Sequence, residues 1–173
     1  MTDLVLNERL KRIKTFVFDV DGVFTNATLT VGKDDVTRTF NVRDGYAVHM
    51  ALKSGFKITI ISGGKQESII TRMNVLGVED VFIDVGTADK PSVLSEYLKN
   101  NNLQADEAIF VGDDIPDLLL MQSFPVLACC PADAVLEVQQ FAAYITKAKG
   151  GDGAVREVIE LVMKAQDKWM KVF

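Results

Sequence analysis

The stretch Thr15–Gly22 reads TFVFDVDG, and it decides the fold. Its first half is a run of bulky apolar residues, which is typical of a strand buried on both faces of a parallel sheet. Its second half places two acids, Asp19 and Asp21, at the end of that strand and just beyond it. Ligands of open parallel α/β sheets bind beyond the carboxyl ends of the strands, so these acids mark a candidate site.

Further apolar runs follow along the chain and alternate with helical stretches. The predicted strands are Lys57–Ile61, Val81–Ile83, Ala108–Val111 and Val126–Cys129. The predicted helices are Gly45–Ser54, Lys65–Leu76, Pro91–Asn100 and Ile115–Gln122. Glycine follows the first two helices directly, as expected for a left-handed C-cap. This alternation predicts an α/β fold, with a Rossmann-like parallel sheet flanked by helices.

One segment interrupts the alternation between the first strand and the first helix. Ala27–Val31 and Val36–Asn41 are β-rich runs joined by Gly32-Lys33-Asp34-Asp35, which predicts an inserted β-hairpin over about residues 24–42. The rest of the chain shows no domain boundary. We therefore expect residues 1–173 to form one domain that ends in a helix and tail over about residues 153–173. A short apolar ribbon is marginal alone, so the hairpin is expected to pack on another subunit.

Composition excludes several classes of partner. Lys plus Arg number 19 against 24 Asp plus Glu, which gives a formal net charge of −5. Such an acidic chain is a poor general ligand for nucleic acid or an anionic membrane. The N-terminus has no signal-peptide core, and no apolar run approaches the ~20 residues of a membrane span. The cysteines are adjacent, at Cys129 and Cys130, and predict no disulfide framework. A cytoplasmic location is expected.

Polar, glycine-containing sequences end three of the predicted strands. These sequences are Asp19–Gly22, Ser62–Gly64 and Gly112–Asp117, and Lys90 follows shortly after the third predicted strand, Val81–Ile83. The carboxylates that should meet at this edge of the sheet are Asp19, Asp21, Asp113, Asp114 and Asp117. Like charges at such range are unfavourable without a cation. Oxygen-rich ligation without histidine suits Mg²⁺, so the sequence predicts a magnesium site.

The same edge offers groups for a phosphate. Lys90 would add a positive charge, and Ser62 with the amides of the glycine turn would donate hydrogen bonds at a helix N-terminus. One carboxylate of the Asp19–Asp21 pair can attack phosphorus while the other protonates the leaving oxygen and later activates water. Taken alone, the DxDG sequence is equally compatible with a solvated turn. The ordered recurrence of polar motifs at successive strand ends favours the catalytic interpretation.

These motifs resemble those of haloacid dehalogenase-superfamily phosphatases. The matching sequences are DVDGVFT, ISGG, Lys90 and GDDIPD. The resemblance implies an aspartyl-phosphate mechanism, in which Asp19 is nucleophile and Mg²⁺ ligand. Asp21 would be the general acid/base and would bind the metal through its backbone carbonyl. The remaining roles that it implies are a metal ligand at Asp113, supporting groups at Asp114 and Asp117, and phosphoryl-binding groups at Ser62 and Lys90.

A closer resemblance spans nearly the whole chain. Phe40–Gly45 (FNVRDG), Asp89-Lys90 and Gly150–Glu157 (GGDGAVRE) are similar to segments of capless 3-deoxy-D-manno-octulosonate 8-phosphate phosphatases, enzymes of lipopolysaccharide biosynthesis. This family implies a homotetramer, in which hairpins form a central barrel and a neighbour's C-terminal segment covers the active site. The gap between Asp21 and Ser62 agrees, since it has room for a hairpin and a helix but no cap domain.

The substrate of such an enzyme carries a carboxylate as well as a phosphate. Arginine suits a carboxylate, and we expect Arg43 to bind it, with Arg156 contributed by a neighbouring subunit or paired locally with Glu157 or Asp152. Gly63 and Gly64 complete the predicted substrate-binding set. The octulosonate phosphatases commonly read Ser-Gly-Arg at the second motif, whereas this chain has glycine at position 64.

Three functions are compatible with these residues. The first is a Mg²⁺-dependent sugar-acid phosphatase, acting on octulosonate 8-phosphate or on a nonulosonate 9-phosphate, and it agrees best with the intact motifs. The second is a non-catalytic, phosphatase-like assembly or regulatory domain. The third is a related hydrolase of another small phosphate or of a protein phosphate. The segment around Arg43 favours the octulosonate substrate.

Overall fold

The computed structural model describes residues 3–33 and 35–172. Asp34, in the predicted hairpin turn, and Phe173, at the end of the tail, lie outside the described residues. Within the described part, the strands are β1 (Thr15–Phe18), β2 (Thr30–Val31), β3 (Val36–Thr37), β4 (Lys57–Ile61), β5 (Asp80–Phe82), β6 (Ala108–Val111), β7 (Leu127–Cys130) and β8 (Tyr144–Ile145). The helices are α1 (Asp3–Arg12), α2 (Val42–Lys53), α3 (Glu67–Val75), α4 (Lys90–Asn100), α5 (Ile115–Ser123), α6 (Leu136–Phe141) and α7 (Ala154–Ala165), with a 3₁₀ turn at Ala105–Glu107.

The predicted fold class is confirmed. The main sheet has the strand order β5-β4-β1-β6-β7-β8, and each of its described pairings is parallel. Strands β2 and β3 pair separately and antiparallel, which is the inserted hairpin. They are shorter than the predicted runs and half-buried at most, since an isolated ribbon has no second layer to pack on.

The central strand β1 sets the position of the site. Its last residue, Phe18, lies opposite Ile60 of β4 on one side and Val111 of β6 on the other. The chain therefore leaves β1 at the point where the strand order reverses, which is the usual ligand crevice of an open parallel sheet. Within the part of the chain that the structure describes, no helix combines the length and apolarity needed to cross a membrane.

Alternating side chains of β1 enter different packing layers. Phe16 and Phe18 are fully buried on one face, in a cluster that includes Val158 of α7. Val17 is fully buried on the other face, in a cluster that includes Leu94 of α4. Burial of each large apolar side chain contributes about 1.5–3 kcal/mol, so the two layers fix the strand and the loop that follows it.

The elements that the sequence analysis missed are short or weakly patterned. Helix α6 has 6 residues and β8 has 2, lengths at which hydrophobic periodicity is barely readable. Helix α1 mixes charges along its whole length. The predicted glycine caps are present, since Gly55 and Gly77 both have φ of +85°.

Candidate active site

The loops after β1, β4 and β6 enclose a cavity of about 560 Å³. Backbone hydrogen bonds hold the first two loops to neighbouring strands, since Asp19 N donates to Val111 O at 3.0 Å and Ser62 N donates to Phe82 O at 2.9 Å. The polar side chains that line the cavity are Asp19, Asp21, Arg38, Ser62, Lys65, Gln66, Thr87, Lys90, Asp113, Asp114 and Asp117. The cavity thus brings together the four predicted motifs.

Lys90 lies at the base of this cavity, between two acids. Its Nζ is 2.6 Å from Asp117 Oδ1 and 3.3 Å from Asp19 Oδ1. Lys90 is 2% exposed and Asp117 is 1% exposed, so this is a buried ion network. Burial works to lower the pKa of Lys90, but the facing Asp19 and Asp117 together hold it above its ordinary value. Lys90 therefore stays charged at neutral pH.

Asp117 also orders the loop that precedes α5. Its Oδ2 accepts hydrogen bonds from Asp113 N at 3.0 Å and from Asp114 N at 3.5 Å. Asp114 Oδ1 in turn accepts from Ile115 N at 2.7 Å, and together these contacts form a capping box at the helix start. Asp114 and Asp117 thus order this loop, and the supporting roles expected for them in the reaction stay predictions.

The acidic cluster fits a metal ion. Carboxylate oxygens of Asp19, Asp113 and Asp117 lie within 4.8 Å of one another. Asp19 Oδ1 is buried and makes no aligned hydrogen bond within the described residues, despite its 3.3 Å approach to Lys90. A buried, unsatisfied carboxylate oxygen among other acids is a suitable donor for a hard cation such as Mg²⁺. Asp19 and Asp113 were both predicted as metal ligands.

A glycine is required beside this cluster. Gly22 has φ of +83°, and a Cβ atom added to it would lie 1.9 Å from Asp113 Oδ2. A side chain at this position would push Asp113 away from Asp19, so the glycine of the DxDG motif permits the two acids to approach. The structure does not bring the Asp21 carboxylate into the same cluster, and its expected contact with the metal through the backbone carbonyl stays a prediction.

Two acids of the cluster, Asp19 and Asp113, hold protons more tightly than ordinary carboxyls, because their pKa values are raised. Burial, with a further contribution from Asp117, raises the pKa of Asp19 to about 7. Burial, followed by Asp117 and Asp19, raises the pKa of Asp113 to about 8. A metal ion binds the ionised carboxylates, so metal binding must displace these protons.

Mg²⁺ affinity should therefore depend steeply on pH. Because both pKa values are raised, Asp19 and Asp113 of the metal-free protein carry protons below about pH 7. We expect the Mg²⁺ affinity to strengthen up to ~10-fold per pH unit for each displaced proton as pH rises to about 8. Calorimetric titration of the metal-free protein measures this dependence. An Asp113→Asn control should bind more weakly with a flatter profile, whereas a pH-independent wild-type affinity would contradict the assignment.

The turn after β4 forms another side of the cavity, lined by Ser62, Gly63 and Gly64. Ser62 is buried, and its Oγ accepts a hydrogen bond from Gly64 N at 3.2 Å. Ser62 O accepts from Val85 N at 3.1 Å, and Gly64 O accepts from Asp84 N at 2.8 Å, so the turn is tied to the neighbouring loop. A hydroxyl held beside a glycine turn ahead of a helix is a suitable donor set for phosphate oxygens.

Arg38 was not identified by the sequence analysis, although it lines the cavity. Its Nε donates to Asp21 Oδ1 at 2.7 Å, and its Nη2 donates to Asp21 Oδ2 at 2.8 Å. Its Nη1 donates to Gln66 Oε1 at 2.8 Å, and its side chain is 2% exposed. The available signal was the alternation of residues along the hairpin. Val36, Arg38 and Phe40 are each less exposed than the threonines between them.

The structure places the two predicted carboxylate-binding arginines elsewhere. Arg43 is exposed in the first turn of α2 and is not among the residues that line this cavity. Arg156 Nε donates to Glu160 Oε1 at 2.7 Å, and its guanidinium lies 5.5 Å from the Trp169 ring centroid. Its local ion pair is therefore with Glu160 and not with Glu157 or Asp152. The roles of both arginines in substrate binding stay predictions.

Comparison with known proteins agrees with this geometry. Residues 45–123 match the family model described as haloacid dehalogenase-like hydrolase. The crystal structure of 3-deoxy-D-manno-octulosonate 8-phosphate phosphatase from Yersinia pestis has a TM-score of 0.91 and 32% identity, covering 95% of this chain and 88% of that one. The chain has the fold of a haloacid dehalogenase-like hydrolase.

Two further relatives narrow the family. The curated 3-deoxy-D-manno-octulosonate 8-phosphate phosphatase KdsC of Yersinia pestis is 34% identical over 162 residues, which are 93% of this chain and 85% of that protein. The Moraxella catarrhalis phosphatase, solved in complex with a magnesium ion, a phosphate ion and a KDO molecule, has a TM-score of 0.90 and 28% identity, covering 96% of this chain and 94% of that one. The chain belongs to the 3-deoxy-D-manno-octulosonate 8-phosphate phosphatase family.

Proposed function

We propose that this protein is a Mg²⁺-dependent phosphatase that hydrolyses 3-deoxy-D-manno-octulosonate 8-phosphate to the free sugar acid and phosphate. The observation that carries the proposal is the buried network of Asp19, Lys90 and Asp117, placed beside Asp113 at the carboxyl end of β1. The Moraxella catarrhalis relative, which binds magnesium, phosphate and KDO, supports both the cofactor and the substrate.

The side chains support a two-step reaction. The Asp19 carboxylate attacks phosphorus, a new P–O bond forms, and the bond to the sugar oxygen breaks. Asp21 transfers its proton to the leaving oxygen, then accepts a proton from the water that attacks the aspartyl phosphate. This second step releases phosphate and restores both carboxyl groups to their starting states.

The remaining groups bind and neutralise the phosphoryl group. In this proposal Lys90 and Ser62 contact its oxygens, and Lys90 supplies a buried positive charge to them. Mg²⁺, held by Asp19 and Asp113 with the backbone carbonyl of Asp21, would offset the negative charge of the cluster and of the phosphate. Asp117 positions Lys90 and the loop that carries Asp113.

A panel of sugar-acid phosphates tests this proposal. Phosphate release is measured for octulosonate 8-phosphate and for nonulosonate 9-phosphates, with Mg²⁺ and then with EDTA. We expect kcat/KM for octulosonate 8-phosphate to exceed the others at least ~10-fold, a margin typical of modest differences in pocket fit. EDTA should abolish the activity. A preference for a nonulosonate would assign that substrate instead, and undiminished turnover in EDTA would contradict the metal-dependent mechanism.

We also propose that the chain assembles as a homotetramer through its hairpin, with active sites covered by neighbouring subunits. Leu29 and Val31, on the hairpin, are exposed apolar residues, and so is Val42 where α2 begins. Exposed apolar side chains on a short hairpin are typical of an interface between subunits. Strands β2 and β3 bond mainly to each other, so a neighbouring copy would supply the missing packing layer.

Polar substitution of the hairpin tests the assembly. The double change Leu29→Ser/Val31→Ser is expected to lower the mass seen by light scattering to that of a smaller oligomer or monomer, and to reduce activity. The matched control is Val75→Ser, because Val75 is 74% exposed and Val31 is 73% exposed, but Val75 lies on α3. A wild-type chain that is fully active as a monomer would contradict the shared site.

Two further proposals concern the domain organisation and the location of the protein. We propose that residues 1–173 work as one catalytic domain, since one sheet supports both packing layers and the site. We further propose a cytoplasmic location, with no nucleic-acid or membrane partner. Cys129 and Cys130 are free and buried, as expected for a protein of a reducing compartment.

A further inference from the structure

The cavity holds one buried cation that the phosphate chemistry does not use. Among its described lining residues, the cationic side chains are Arg38, Lys65 and Lys90. Lys90 forms ion pairs with Asp19 and Asp117. Lys65 is 71% exposed at its side chain and pairs with Asp84 at 3.0 Å. Arg38, buried and facing Asp21, is therefore the group available for a second anion.

Asp21 cannot stay paired with Arg38 throughout the proposed reaction. Both oxygens of the Asp21 carboxylate accept from the guanidinium, at 2.7 and 2.8 Å. To reach a leaving oxygen as general acid, Asp21 must give up at least one of these contacts. The side chain of Arg38 is 2% exposed, so its released N–H groups would be buried without an acceptor, which is costly. A second anion in the cavity would supply that acceptor.

Gly64 leaves the space that Arg38 occupies. A Cβ atom added at position 64 would lie 3.0 Å from Arg38 Nη2 and 2.6 Å from Ile69 Cδ1. The backbone of Gly64 does not have a positive φ, so its conformation does not require glycine. Glycine is needed here because a side chain would contact Arg38 and Ile69. Glycine in place of the family's usual arginine at position 64 thus makes room for the guanidinium of Arg38, which follows β3 of the hairpin.

We propose that Arg38 binds the carboxylate of the substrate, and that in the absence of this carboxylate it holds Asp21 in an idle ion pair. The proposal rests on the proposed function, because it requires a substrate with a carboxylate as well as a phosphate. The substrate carboxylate exchanges with Asp21 on the guanidinium, and Asp21 is released to act on the leaving oxygen. A planar carboxylate matches the fork of Arg38 as Asp21 does.

This exchange gives the enzyme selectivity as well as affinity. A phosphate ester without a carboxylate leaves Asp21 paired to Arg38, so it reacts slowly even when its phosphate is bound correctly. The substrate carboxylate therefore supplies an interaction that raises the rate of the chemical step, and does not only improve binding. Arg38 would be the residue that distinguishes sugar-acid phosphates from ordinary sugar phosphates.

The test compares two substrates with wild type and Arg38→Met. Octulosonate 8-phosphate carries the carboxylate, whereas glucose 6-phosphate is also a primary phosphate ester but lacks it. The readout is the ratio of their kcat/KM values, which we expect to fall about 100-fold in the variant as octulosonate turnover falls and glucose 6-phosphate turnover rises. A fall of less than ~10-fold would overturn the proposal.

Matched variants separate this role from a structural one. Arg12→Met changes an arginine on α1 that pairs with Asp106, and it should keep the wild-type ratio. Adding Gly64→Arg to Arg38→Met returns a guanidinium to the same region, and the ratio should recover at least ~3-fold in a protein that melts like wild type. A well-folded double variant without such recovery would contradict the proposal.

A binding measurement keeps this inference distinct from the proposed function. Free 3-deoxy-D-manno-octulosonate carries the carboxylate and no phosphate, and calorimetry should show at least ~10-fold weaker binding to Arg38→Met. If wild type fails to hydrolyse octulosonate 8-phosphate, the proposed function fails, and this affinity alone decides the role of Arg38. Equal affinity of wild type and variant would overturn the carboxylate assignment.

Discussion

Asp19→Asn is expected to lower phosphate release from octulosonate 8-phosphate by at least about 10⁴-fold, because the amide has no anionic oxygen to attack phosphorus. The fold should persist, since the hydrogen bond that Asp19 donates to Val111 comes from the backbone. Stability should rise at pH 8 without Mg²⁺. The pKa of Asp19 is raised to about 7, so its ionisation costs folding free energy as pH rises, and the amide avoids that cost.

Phosphate release under saturating Mg²⁺ and thermal melting at pH 8 check this result together. The matched control is Asp84→Asn, an exposed acid near the same edge of the sheet that pairs with Lys65. It should keep near-wild-type turnover. If Asp19→Asn retained more than about a hundredth of wild-type activity, the nucleophile would have to be assigned to another residue.

Lys90→Met is expected to affect both activity and stability. Removing the cation leaves Asp117 buried without its partner, and breaking a buried ion pair in this way costs about 3–5 kcal/mol of unfolding free energy. Turnover should fall at least about 10³-fold, because the phosphoryl group loses a buried positive charge. Urea unfolding and phosphate release measure the two effects separately.

Two comparison variants separate the loss of stability from the loss of activity in Lys90→Met. Lys65→Met removes a lysine from the same cavity, but one that is exposed and paired with Asp84, so its cost should stay near the ~0–1 kcal/mol of a surface pair. Adding Asp117→Asn to Lys90→Met removes the unpaired charge and should recover stability without activity. Recovery of turnover in that double variant would refute a phosphoryl-binding role for Lys90.

The strands that carry the site could be predicted because their signals are local. Thr15–Phe18, Lys57–Ile61 and Ala108–Val111 are continuous apolar runs that end at polar residues, and the structure has strands with the same bounds. Asp80–Phe82 and Leu127–Cys130 have the predicted lengths, but each is shifted along the chain by one residue. Buried parallel strands require little more than such runs, so the convergence of their ends followed from topology.

Contacts across the chain were not predictable in the same way. Arg38 reaches Asp21 and Gln66 only because the hairpin folds back over the end of β1, and no spacing in the sequence encodes that approach. Arg43 lies in a segment that resembles the family, yet the structure places it on the exposed surface of α2. Sequence motifs thus indicated the residues around Asp19 and Lys90 better than those on the hairpin side of the cavity.

The contact between Asp117 and Lys90 likewise could not be predicted from the sequence. The sequence places it three residues after Asp114, which is compatible with a capping box. The structure adds its contact with Lys90, through which one carboxylate ties the lysine to the loop that carries Asp113. That link depends on α4 packing beside α5, a tertiary feature that the spacing does not contain.

Acid quenching of the enzyme during turnover tests the central account most directly. Wild-type protein is mixed with octulosonate 8-phosphate and Mg²⁺, quenched within the first turnovers, and its peptides are analysed by mass spectrometry. We predict one phosphoryl group on the peptide that contains Asp19, lost when EDTA is added before the substrate. Phosphate release without any adduct on Asp19, or an adduct on a different residue, would contradict the account.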